Sequence, residues 1–120
     1  MENKPEDTHL SEQRLVSLSD MANAAHLSIQ QDFAHIDPVI GISRNMRKNG
    51  VPADVMTIDC LKTSKRIIVI LHDQNPEQVL YKFAFKEQDP AGDFTQIAFA
   101  EFNQQVLYGW IKSYFSPAVN

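Results

Sequence analysis

Leu15, Leu18, Ala22, Ala25, Ile29 and Phe33 recur at steps of three and four, which is the apolar stripe of an amphipathic helix. Ser11 and Ser19 both suit an N-cap, and Ser19-Asp20 has the composition of a helix start, so the pattern allows a break near Ser17. Asp37-Pro38 should end the helix by Ile36, because proline pushes the residue before it out of the helical region. The same pair predicts a second helix over 38–48, with Asp37 as its cap and proline in the first turn. Asn49-Gly50 and Pro52 would close it.

Beyond Pro52 the period shortens from 3.6 to 2. Met56, Ile58 and Cys60 alternate with Thr57 and Asp59, as on a half-buried strand. Thr63-Ser64 marks a turn. Ile67 to Leu71 is an unbroken aliphatic run, the signature of a central strand covered on both faces. After a loop containing Asn75-Pro76, Val79, Tyr81, Phe83 and Phe85 share one face of a third strand. Asp89 to Asp93 reads as a turn, and Thr95 to Ala98 as a short fourth strand. Val106, Leu107, Trp110, Ile111 and Tyr114 then return to helical spacing, with Asn103 as cap and Ser116-Pro117 as stop. The expectation is an α+β domain over residues 10–120. Its core is an antiparallel three- to four-stranded meander with two N-terminal helices and one C-terminal helix packed on it, and residues 1–9 form a disordered tail.

This order constrains the candidate chemistry. Matching apolar faces pairs Ile58 with Ile68 and Met56 with Ile70, which sets Cys60 opposite Arg66 and His72 opposite Asp54. Cys60 and His72 then lie roughly 20 Å apart at ~3.4 Å per residue, whereas a nucleophile and its base need about 3 Å. The pair is not a catalytic dyad, and Cys60 reads as a small core residue. Asp54, His72 and Asp73 form an alternative polar cluster at the strand ends, the least poor centre for a hydrolase, but no nucleophile accompanies it. The sequence therefore assigns no catalytic residue, no metal ligands and no cofactor.

Composition narrows the class. The 120 residues, 43% apolar and 22% charged, suit one globular domain. One cysteine allows no internal disulfide and favours the cytoplasm. No apolar run reaches the ~18 residues of a membrane span. The net charge of −4 argues against wholesale nucleic-acid binding, but it is unevenly spread. Residues 1–43 hold seven acids and two bases, 44–86 eight bases and four acids, and 87–120 four acids and one base.

The bases of the middle segment, Arg44, Arg47, Lys48, Lys62, Lys65 and Arg66, are the candidate binding residues for an anion, a nucleic acid or an acidic protein surface. Without a glycine-rich loop or a catalytic constellation, the leading expectation is a small non-catalytic cytoplasmic protein that binds another protein or itself. The polarised charge suggests a weak, salt-sensitive homodimer, with Leu15, Leu18 and Ala22 at the apolar centre of its interface.

Overall fold

The computed structural model describes residues 5–87 and 93–116, with side chains from Leu10 onward. Of the expected tail, residues 1–4 lie outside this description. So do the turn residues 88–92 and Pro117. The chain runs α1 (Pro5–Asp32), β1 (Pro38–Ser43), α2 (Asn45–Lys48), β2 (Ala53–Cys60), β3 (Lys65–His72), β4 (Gln78–Phe85), β5 (Thr95–Ala98), a 3₁₀ turn (Phe99–Glu101) and α3 (Gln104–Phe115). The strands form one antiparallel meander in the order β1-β2-β3-β4-β5. The α+β class and the antiparallel sheet hold; the strand count and one helix do not.

The second helix expected over 38–48 is the main correction. Its first half is strand β1 and only one turn, α2, is helical. Asp37-Pro38 fits a helix start, but Val39, Ile40 and Ile42 are β-branched and pair with β2 from Pro38↔Cys60 to Ser43↔Val55. Pairing outweighed the local signal. Gly50 nevertheless closes α2 as its sequence suggests, with φ +88. The break near Ser17 is absent: α1 is continuous. An interruption there would rotate Leu18 away from the stripe that it shares with Ala22 and Ala25, all of them buried.

The β2–β3 register is shifted one residue from the expected one. Ile58 faces Ile67, Met56 faces Val69, Asp54 faces Leu71 and Ala53 faces His72. The helix-side face of β3 is thus Ile67, Val69 and Leu71, all buried in one core with Met56, Ile58, Cys60, α1 and α3. The aliphatic run hid this choice, because either set of residues matches β2 equally well. Both long helices pack on this face. They lie side by side, with the Tyr108 hydroxyl donating to Asp32 Oδ2 at 2.5 Å. Among the described residues the opposite face carries no helix, which corrects the expectation of cover on both sides. Ile68 is still only 6% exposed there, flanked in the sheet by Thr57 and by the stem of Lys82.

Leu18 and Ala22 are 1% and 0% exposed. They belong to the core and are withdrawn from any interface. Asn103 caps α3 as expected, its Oδ1 accepting from Val106 N at 3.0 Å, and β5 forms where the fourth strand was expected.

Candidate functional site

Asp54 is the polar anomaly of the core face. It alternates in phase with Met56 and Ile58, so the strand turns its carboxylate inward, where it is 1% exposed. An ionised carboxylate there needs partners, and α2 supplies them. Arg44 Nε donates to Asp54 Oδ1 at 2.9 Å and Arg44 Nη2 to Oδ2 at 3.3 Å. Arg47 Nε and Nη2 reach the same two oxygens at 3.2 and 3.0 Å. Arg47 also grips Asp73, with Nη1 to Oδ2 at 2.7 Å and Nη2 to Oδ1 at 3.0 Å. Such forked bonds explain why one turn of helix holds its place.

Burial pushes the Asp54 carboxyl up, but the hydrogen bonds from Arg44 and Arg47 outweigh it and hold the group below its ordinary value. Arg47 is raised by its bonds to Asp73 and Asp54, and Arg44 by its bond to Asp54. From α1, the buried Arg14 completes the network through long contacts, to Pro76 O at 3.3 Å, His72 O at 3.4 Å and Asp73 Oδ1 at 3.5 Å. Desolvation lowers its pKa, and its enclosed Nε has no acceptor. A cleft of about 320 Å³ opens beside it, lined by Leu10, Ser11, Pro52, Asp73, Gln74 and Pro76 among others.

The structure distributes the other candidate bases. Arg66 lies directly across from Asp59 on the helix-free face and binds it bidentately at 2.6 and 2.9 Å. Lys62 Nζ donates to His35 O at 3.1 Å. Lys65 Nζ donates to Tyr114 O at 3.1 Å and sits 5.0 Å from that ring's centre. Lys48 is exposed on α2. The six bases thus do not form one patch, and Arg44, Arg47 and Arg66 each face a carboxylate of the same segment. Of the polar cluster, Asp54 and Asp73 are brought together through Arg47. His72 alternates to the other side of β3, where its Nδ1 accepts from Gln74 N at 3.2 Å. Cys60 is 7% exposed and pairs with Lys65, at the opposite end of the hairpin from His72.

What the sequence did not reveal is the edge of the sheet. Two hydrogen bonds fix its polarity. Asp73 N donates to Pro52 O at 2.9 Å and Lys86 N to Ser64 O at 2.7 Å, so the even-numbered residues of β2 bond to β3 and its odd ones bond to β1. Through the register Val39↔Asp59 and Gly41↔Thr57, the odd residues of β1 bond inward. Ile40 and Ile42 therefore direct both backbone N–H and C=O outward, and Pro38, which has no N–H, stands in the same outward set.

Among the described residues nothing pairs with this edge. Val39 and Ile42 are 46% and 41% exposed beside it. The strand holds no charge and no bulge, and of the devices by which edges are normally blunted it carries only a proline, Pro38, at its first residue. The other edge, β5, has only four residues. No family model matches this chain, and no curated protein or solved structure is detectably similar to it.

Proposed function

We propose that this is a non-catalytic protein of the cytoplasm that acts by binding protein, adding an extended strand of its partner to the free edge of β1. The observation that carries the reading is that edge: six uncharged residues with outward Ile40 and Ile42 backbone groups and exposed apolar neighbours. Strand addition derives its affinity from main-chain hydrogen bonds and its selectivity from alternate side chains. The distribution of charge supports the same choice. Arg44, Arg47 and Arg66 are held by Asp54, Asp73 and Asp59, so an anion or nucleic acid would have to compete with bonds already made.

A displayed library of extended peptides tests the proposal. Binders should be apolar at alternate positions, perturb the amide resonances of Ile40 and Ile42, and lose affinity with Ile42→Pro, which removes an outward N–H without touching the ladder to β2. Binders that map to α2 and the 61–66 turn instead would overturn it in favour of the anionic reading.

A further inference from the structure

Resting on that reading, we propose that the strand added at β1 is β1 of a second copy, in antiparallel register about a two-fold axis through Gly41. The register follows from the hydrogen-bond polarity. The outward residues Ile40 and Ile42 must form the hydrogen-bonded pairs, and the offset that places Ile40 opposite Ile42 of the second copy uses the N–H and C=O of both isoleucines in both copies without recruiting Pro38 or Arg44. Four main-chain hydrogen bonds then close: Ile40 N to Ile42 O and Ile42 N to Ile40 O, each made twice.

The side chains agree with this register at every position. Gly41 meets Gly41 at a non-hydrogen-bonded pair, where Cα atoms approach to about 4.5 Å and a residue without a side chain fits best. On the helix side, the exposed Ile42 is covered by Ile40 of the second copy, so the two pairs build a cluster of four isoleucines across the axis. On the other side, Val39 falls opposite Ser43. No like charges meet within the strand. Pro38 costs nothing, since it falls opposite Arg44, outside the four bonds. The product is a ten-stranded sheet with all helices on one face. An interface of one strand is small and belongs to the weak, transient class, with dissociation at about 0.1–1 mM.

Cysteine crosslinking reads the register directly. In a Cys60→Ala background, Gly41→Cys should form a disulfide-linked dimer under mild oxidation, because residues facing each other at a non-hydrogen-bonded pair have the required Cα spacing. A Cβ at Gly41 meets only Thr57 Oγ1, at 3.4 Å, so the variant is expected to fold. Val39→Cys alone should not crosslink, being four residue steps from its own copy, about 14 Å. Mixed with Ser43→Cys it should.

Sedimentation of the unmodified chain up to about 1 mM supplies a second measurement: a reversible dimer whose dissociation constant rises about tenfold with Ile42→Pro. A monomer throughout, with no Gly41→Cys dimer, overturns the inference. If extended peptides still bind at Ile40 and Ile42, the strand-addition reading survives with a foreign partner; if they do not, both fall. Equal crosslinking of Gly41→Cys and Val39→Cys reports random collision and also overturns it.

Discussion

Asp54 joins one turn of helix to the sheet, so its contribution should be visible in both stability and pH response. Replacing it with Asn weakens four arginine bonds and leaves Arg47 held by Asp73 alone. A loss of roughly 2–4 kcal/mol is expected by chemical denaturation, somewhat less than the ~3–5 kcal/mol of a fully buried broken pair because both arginines are partly exposed. The sign with pH follows from its lowered pKa. A carboxyl whose folded value lies below its unfolded one stabilises the fold above the unfolded value, about 3.9, and that stability is lost as pH falls through the folded value. The melting temperature of the unmodified chain should therefore drop more steeply below about pH 4 than that of Asp54→Asn. Trp110 is half-buried, stacked on Tyr81 at 4.2 Å and edge-on to Phe83 at 5.6 Å. Trp110→Ala should cost roughly 2–4 kcal/mol, and near-neutral stability would show that the stack is dispensable.

At the scale of elements, the Asn103 cap and the Gly50 stop were legible because their signals are local, whereas the equally local Asp37-Pro38 and Ser19-Asp20 signals did not start helices. Gly50 takes a left-handed φ of +88, so Gly50→Ala should destabilise by about 1 kcal/mol. Ser64 holds φ 59 in the β2–β3 turn without being glycine. Ser64→Gly should relieve that strain and stabilise by about 0.5 kcal/mol, the gain being trimmed by the greater freedom of glycine in the unfolded chain. Thermal melts of the pair test both signs at once. Sequence was least informative at Pro38–Ser43, where a good helix start and a good edge strand share the same six residues. Only pairing with β2 separates them.

The charge asymmetry belongs to the whole molecule. A basic middle segment between acidic flanks suggests salt-sensitive association, but its arginines find their partners within that segment, at Asp54, Asp59 and Asp73. Self-association through main-chain bonds and isoleucines should accordingly be nearly indifferent to salt. Between about 0.1 and 1 M, where the Debye length falls from ~10 to ~3 Å, the dimer constant should move by less than about threefold. A dimer that dissociates sharply with salt would return the interface to the exposed lysines. The burial of Cys60 gives a further expectation. Its thiol should react with a small disulfide reagent orders of magnitude more slowly than an exposed cysteine, at a rate set by opening of the fold.

Element periods, the Asn103 cap, the Gly50 stop and the inward face of Cys60 are all written in short stretches of chain, since each depends on neighbours within a few residues. The separation of Cys60 from His72 was legible too, because a hairpin's length fixes it whatever the register. Three features are not local. The one-residue register of β2 on β3 is degenerate along Ile67–Leu71 and is resolved by which isoleucines and valines the helices α1 and α3 can cover. The network of Arg14, Arg44, Arg47, Asp54 and Asp73 joins four separate segments, and Arg14 carries no sign of it in the pattern of α1. Among the described residues the edge of β1 is free because the meander stops there. Sequence shows that a strand can form; which of its backbone groups face outward depends on which strand lies beside it and in what register.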